Sequence, residues 1–212
     1  MKELVLATRN PDKGRELHAL LADLGICIRT MVDFPDAPEV VEDGATCEAN
    51  AVKKAVSIAR YTGLTAIADD TGLEVAALGG RPGVHAARYA GEHATYEDNC
   101  QKLLRELNGV PPEKRQARFV TVAAIAQPDG RAQVTQGELN GLITESSMGR
   151  GGFGYDPVFL ISEQGRTLAE LTSEEKNRIS HRARAFRKIM ALLSEHGTMS
   201  DREPSNVERS GN

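Results

Sequence analysis

The apolar run Leu4-Val5-Leu6-Ala7 is closed at once by polar turn residues, and Leu17, Leu20, Leu21 and Leu24 then recur at helical spacing up to Gly25. The chain therefore opens as strand, loop and helix. Asn10 suits the helix N-cap, Pro11 its first position and Gly25 its C-cap. A second strand is predicted over residues 26–31, and the proline-bearing, acidic stretch 34–44 is a loop. Thr46 caps a helix that runs to about Tyr61 and stops at Gly63. Residues 65–68 then read as a short buried strand that delivers Asp69 and Asp70 to its end, and residues 73–78 as a further strand. A turn at 79–83 leads to a helix over 95–107 with Leu103, Leu104 and Leu107 on one side. Residues 119–126 and 132–143 form two long strands about the turn Pro128-Asp129-Gly130, and residues 149–154 a glycine-rich loop. Thr172-Ser173-Glu174-Glu175 has the form of a capping box, and the helix it opens continues through Phe186, Ile189, Met190 and Leu193 to about Gly197. Residues 198–212 are polar, include Pro204 and lack apolar periodicity. One domain over 1–197 and a disordered tail over 198–212 are expected.

Composition narrows the class. With 212 residues, 40% hydrophobic and 26% charged, the chain matches an ordinary globular domain, and with no Trp its core must be built from Leu, Val, Ile and Ala. A formal charge of −4 disfavours a nucleic-acid polymer as partner but leaves room for a small anion held by a few local cations. Cys27, Cys47 and Cys100 are odd in number and widely spaced, which suggests neither a disulfide framework nor a zinc site. The first apolar run is too short for a signal peptide or a membrane span, so a cytoplasmic location is expected.

Five constellations can carry chemistry. Thr8-Arg9-Asn10-Pro11-Asp12-Lys13 lies between a strand and a helix N-terminus, where free N–H groups and the helix dipole favour an anion, although no Walker or dinucleotide motif is present. A capped helix with a solvated lysine explains the same residues. Asp69-Asp70-Thr71-Gly72 puts adjacent carboxylates on a strand, where they face opposite ways and so differ in role. One can hold Mg²⁺ or accept a proton from water, with Glu42 as a second metal ligand; a solvated acidic turn is the plainer alternative. Asn50 and Lys54 are four apart on one helix face. Gly152-Phe153-Gly154-Tyr155-Asp156 suits a backbone that approaches a flat ligand, with a ring to stack on it. Lys176, His181 and Arg182 offer donors to phosphates or keto oxygens, or form an ordinary basic helix face. His85, Arg88 and His93 match no metal motif.

Taken together, these segments closely resemble the inosine triphosphate pyrophosphatase family of non-canonical purine triphosphatases, from residue 1 to about 196. The resemblance rests on the order of Thr8-Arg9-Asn10-Pro11-Asp12-Lys13, Thr46-Cys47-Glu48-Ala49-Asn50, Ala68-Asp69-Asp70-Thr71-Gly72, Pro82-Gly83, Ala87-Arg88-Tyr89, Gly152-Phe153-Gly154-Tyr155-Asp156-Pro157 and Thr172 through Lys176 to Ser180-His181-Arg182. It implies an elongated α/β fold with a central mixed sheet flanked by helices, a substrate cleft between two lobes, and a homodimer. It also implies hydrolysis of inosine, deoxyinosine and xanthosine triphosphates to the monophosphate and pyrophosphate. Residues 8–13 and Lys54 would hold phosphates, Glu42 and Asp70 would serve Mg²⁺, and Asp70 would accept the proton. Thr71, Phe153, Gly154, Tyr155, Asp156, Lys176, His181 and Arg182 would contact the nucleotide. Cys47 stands where the family often has an aromatic, and Ala49 where a Glu often precedes the Asn; the second departure touches a supporting contact rather than the chemistry. The rival readings are a nucleotide sensor that does not hydrolyse, a pyrophosphatase for modified pyrimidine triphosphates, and a single-strand binder that stacks bases on Phe153 and Tyr155.

Overall fold

The computed structural model describes residues 3–22 and 25–199, with side chains as far as residue 193. Its strands are β1 (Glu3–Leu6), β2 (Cys27–Thr30), β3 (Thr65–Val75), β4 (Pro82–Gly83), β5 (Gln116–Ala126), β6 (Ala132–Ile143), β7 (Phe159–Ile161) and β8 (Arg166–Thr167). The helices are α1 (Pro11–Leu21), α2 (Cys47–Thr62), α3 (Tyr96–Glu106), α4 (Ser173–Ile179) and α5 (His181–Met199). The strands form one mixed sheet in the order β2-β1-β3-β5-β6-β7-β8, with β4 paired to β3. β1 runs parallel to β2 and β3, whereas β3, β5, β6, β7 and β8 pair antiparallel in turn.

Side-chain alternation along the strands sorts the core into layers. Val5, Ala66, Ala68, Val122 and Ala124 face α2 through Ala51, Ala55, Ile58 and Ala59. Leu4, Leu6, Ile67, Ala123 and Ile125 face the opposite way, onto Leu17 and Leu21 of α1 and Ala185, Phe186 and Ile189 of α5. Farther along the sheet, Leu73, Phe119, Leu139 and Phe159 pack with Cys100 and Leu103 of α3. So many alanines under α2 allow that helix to lie close to the sheet, which brings Asn50 and Lys54 within reach of β3.

Helix starts follow their caps. The Asn10 side chain accepts from the N–H groups of Asp12 and Lys13, with Pro11 in the first turn. Thr46 caps α2, which ends on left-handed Gly63, and Thr172 with Glu175 completes a capping box at α4. Other expectations need correction. α1 ends at Leu21 with Ala22 as its C-cap, short of Gly25; Leu24 lies outside the described residues. Residues 65–75 are one strand, not two, because the ladder to β5 runs unbroken from Ala66 to Val75, and residues 76–78 form a 3₁₀ turn. Asp69 and Asp70 therefore sit in mid-strand. The last helix is divided, because Ser180 adopts an extended backbone between α4 and α5. α5 extends past Gly197 to Met199, and the expected tail from residue 200 onward lies outside the described residues. No helix among the described residues is long and apolar enough to cross a membrane.

Gly137 on β6 is a close-approach point, since a Cβ there would overlap the His181 carbonyl oxygen and the Ala185 backbone nitrogen of α5. Neither is a side chain that can swing away. Gly137→Ala is expected to lower unfolding stability in urea by about 1–3 kcal/mol, the usual cost of overpacking. Wild-type stability would show that α5 does not rest on this strand.

Candidate active site

The protein holds a cavity of ≈ 300 Å³ beside the middle of β3, where Asp70 and Thr71 reach its wall. Its wall gathers residues far apart in sequence, among them Thr8, Lys13, Glu42, Lys54, Asp70, Tyr96, Phe153, Lys176, His181 and Arg182.

The centre is β3. Alternation turns Asp69 toward α1 and α5 and Asp70 toward α2, as expected for neighbours on a strand. Asp69 Oδ2 pairs with Arg182 Nε at 3.1 Å and Lys13 Nζ at 3.3 Å, while its backbone carbonyl accepts from Lys54 Nζ at 2.8 Å. Its other oxygen, Oδ1, is buried without a hydrogen-bond partner among the described residues. Burial alone would raise this carboxyl, but Lys13, Arg182 and Lys54 outweigh it and hold the group below the usual range. Asp70 is treated differently. Its Oδ2 accepts from Asn50 Nδ2 at 3.0 Å and its Oδ1 from the Thr71 N–H at 2.9 Å. Burial raises its carboxyl above the ordinary 3.8 and Glu42 adds to the rise, with Lys13 and Lys54 pulling the other way.

From Asp69 a chain of alternating charge runs along the cavity. Arg182 Nη1 meets Glu16 Oε2 at 2.6 Å, and Glu16 Oε1 meets Lys176 Nζ at 2.6 Å. Lys176 also pairs with Asp156, whose Oδ2 accepts the Phe153 N–H at 2.8 Å and so fixes the glycine-rich loop. The Phe153 ring lies 4.7 Å from Lys176 Nζ and 5.3 Å from the Arg182 guanidinium, with Tyr96 at 5.8 Å between centroids. His181 stacks on Phe119 at 4.5 Å, and Nδ1 lies 2.6 Å from Thr121 Oγ. Burial, then Arg182 and Lys176, push its pKa well below 6.5, so the ring is neutral.

The structure brings most of the expected residues together, with changes of detail. Pro11 and Asp12 stand off the cavity wall; Asp12 bonds Arg15 and the Tyr96 hydroxyl instead. Arg9 reaches the wall but spends Nη2 on the Ala37 carbonyl at 2.6 Å. Of the two loop aromatics only Phe153 is placed to stack, because Tyr155 is a core residue whose hydroxyl donates to the Ala86 carbonyl at 2.8 Å. Arg182 is occupied by Asp69, Glu16 and Thr71, so most of its donor capacity is spent inside the protein. Cys47 lies against Gly72, and its thiol is pushed up to about 12 by burial and then by Asp70, so it stays protonated.

Sequence reasoning missed Glu16, Tyr96, Thr121 and the part played by Arg88, whose Nη2 donates to the Glu42 carbonyl at 3.1 Å. Glu16 was detectable as the residue three after Lys13 on one helix face. Thr121 was detectable as the polar residue inside the apolar run 119–126.

Fold and cavity define a class: an α/β protein whose mixed sheet presents a buried carboxylate between two lysines and an aromatic-faced wall. The chain belongs to the Ham1 family, whose sequence model matches residues 4–192. It is 53% identical to the dITP/XTP pyrophosphatase of Geobacillus kaustophilus over 189 residues, 89% of this chain and 93% of that protein. The dITP/XTP pyrophosphatase of Geobacter sulfurreducens is also 53% identical, over 196 residues, 92% of this chain and 96% of that protein. The solved structure of a HAM1 protein from Coxiella burnetii superposes with a TM-score of 0.83 at 40% identity, covering 92% of this chain and all (100%) of that one.

Asp69 supplies a pH test. Its folded pKa is depressed, so its contribution to stability is complete above the ordinary 3.8 and is lost as pH falls through the lower folded value. Asp69→Asn removes the counter-charge of buried Arg182 and half-buried Lys13 and is expected to cost about 3–5 kcal/mol near neutrality. Denaturant melts at several pH values should show the gap between wild type and variant closing only in acid below about 3.8. A gap independent of pH would mean that the carboxylate charge is not what matters.

Proposed function

We propose that this protein hydrolyses non-canonical purine nucleoside triphosphates, of the inosine, deoxyinosine and xanthosine kind, to the monophosphate and pyrophosphate. The observation that carries this reading is the sequence of side chains along one cavity. Lys13 and Lys54 flank Asp69 and Asp70, while Phe153, His181, Arg182 and Lys176 form the neighbouring wall. The names of the relatives agree with it.

Charge argues for a divalent cation. Asp69, Asp70, Glu16, Asp156 and Glu42 outnumber Lys13, Lys54, Lys176 and Arg182, and Arg9 and Glu39 at the wall offset each other. The protein alone therefore offers a triphosphate no net positive charge. Among the described residues no three His, Cys, Asp or Glu side chains cluster as a closed metal cage. Mg²⁺ is commonly bound by one or two carboxylates together with substrate phosphates. Glu42 and Asp70 are the carboxylates that would hold it, and when bound it would neutralise charge on the phosphate oxygens.

The remaining work falls to the chain's own groups. Lys13 and Lys54 hold the phosphates by charge. Asn50 and the Thr71 N–H orient the Asp70 carboxylate, which accepts a proton from water as the water oxygen bonds to phosphorus and the anhydride bond to pyrophosphate breaks. The base would lie against Phe153, with Lys176 and the Arg182 guanidinium near the same ring. A keto oxygen at position 6 of the purine would face the His181 and Arg182 donors, and an amino group there would leave them unmatched. A substrate cleft between two lobes and homodimeric assembly complete this reading and come from the family resemblance; a cytoplasmic location rests on the short first apolar run, and a dispensable tail over 198–212 on its polar, aperiodic sequence.

Asp70→Asn keeps the size of the side chain but removes the proton acceptor. Turnover of inosine triphosphate should fall by about 10²–10⁴-fold with the melting temperature little changed. The assay is release of monophosphate and pyrophosphate, with and without Mg²⁺, from a panel including ATP and modified pyrimidine triphosphates. Binding without product release by the wild type would favour the nucleotide-sensor reading instead.

A further inference from the structure

The polar side chains on the α5-facing side of β3 and β5 have to share a limited number of protons. Thr71 and Thr121 are direct cross-strand partners, and His181 and Arg182 approach them from the start of α5. Arg182 carries only donors, so its Nη2–H donates to Thr71 Oγ at 3.2 Å and the Thr71 hydroxyl proton must point elsewhere. Two acceptors are in range, Thr121 Oγ at 2.7 Å and Asp69 Oδ2 at 3.3 Å. The first is at the usual O–H···O separation and the second is beyond it. Asp69 Oδ2 is moreover already engaged by Arg182 and Lys13. Thr71 therefore donates to Thr121.

Thr121 has one proton of its own. With its oxygen receiving the Thr71 hydroxyl, it donates to His181 Nδ1 at 2.6 Å, which makes Nδ1 an acceptor. The buried ring is neutral, so its single N–H sits on Nε2. The ring is stacked on Phe119 and forms part of the cavity wall, and Nε2 meets no protein partner among the described residues.

We infer that Thr121, which touches no substrate, is a positioning residue that locks His181 as an Nε2–H donor toward the cavity and thereby favours a keto over an amino group on the bound base. Reversing the hydroxyl chain would put the proton on Nδ1 and turn Nε2 into an acceptor, which suits an amino group instead. The selectivity part rests on the reading above that His181 contacts the base; the tautomer part does not.

The test uses protein with ¹⁵N-labelled histidine, the His181 signals being assigned by their loss in His181→Gln. Two-bond ¹H–¹⁵N correlations of wild type, Thr121→Val and Thr121→Ser report the tautomer without any substrate. Wild type and Thr121→Ser should show a protonated Nε2 and a bare Nδ1, and Thr121→Val a mixture or the reverse. In parallel, the ratio of kcat/KM for inosine triphosphate to that for ATP should fall about tenfold in Thr121→Val, the worth of one hydrogen bond, and be restored in Thr121→Ser. A wild-type ring protonated on Nδ1, or a tautomer untouched by Thr121→Val, overturns the inference. A tautomer that shifts while the ratio stays fixed overturns the selectivity role. Neither outcome touches the proposed hydrolysis, which fails separately if the wild type releases no pyrophosphate.

Discussion

Asp69 is buried in mid-strand with three cations around it, and the arrangement of the cavity depends on that charge. A carboxylate taken out of water is costly unless it is paired and hydrogen-bonded. Here the pairing is spread over separate elements: Lys13 from α1, Arg182 from α5 and, through the backbone carbonyl, Lys54 from α2. Each cation also belongs to the cavity wall. The Asp69 carboxylate therefore ties α1 and α5 to one face of β3, and its backbone carbonyl ties α2 to the other.

Alternation along β3 divides the labour between neighbouring acids. Asp69 faces α1 and α5 and is held ionised by its cations, while Asp70 faces α2, has its carboxyl raised by burial, and receives only neutral hydrogen bonds. Two carboxylates one residue apart thus acquire environments that push them in opposite directions, the pattern expected where one group maintains structure and the other takes part in chemistry. Glu16 extends the same logic along the cavity, since a single acid spans Arg182 and Lys176 and keeps both beneath the Phe153 ring.

The division of the last helix at Ser180 serves the pocket as well. An unbroken helix would keep Lys176 and His181 on one continuous spiral. The extended residue instead lets α4 hold Lys176 against Glu16 and Asp156 while α5 starts afresh and turns His181 and Arg182 onto β3 and β5. Gly137 allows the start of α5 to lie directly on the sheet.

Local signals were enough for the starts of α1, α2, α3 and α4 and for the long hairpin. Asn10, Thr46 and Thr172 are caps because short side-chain acceptors beside free N–H groups act within a few residues, and the pairing of strands 119–126 and 132–143 follows from their pattern about a Pro-Asp-Gly turn, with the first strand starting three residues earlier at Gln116. The order of motifs along the chain likewise identified the family and most of the polar residues that line the cavity. Sequence alone did not decide the continuity of β3 through Asp69-Asp70-Thr71-Gly72, because polar residues and a glycine look like a turn until a full-length partner strand pairs with them. It did not separate Phe153 from Tyr155, which differ in burial rather than in local pattern. It could not reveal Glu16 joined to Arg182, or Thr121 joined to His181, across separations of 166 and 60 residues. Hydrogen bonds and charge pairs of that span exist only once the sheet and its helices have assembled, and so tertiary structure decided the protonation and orientation of the cavity's side chains.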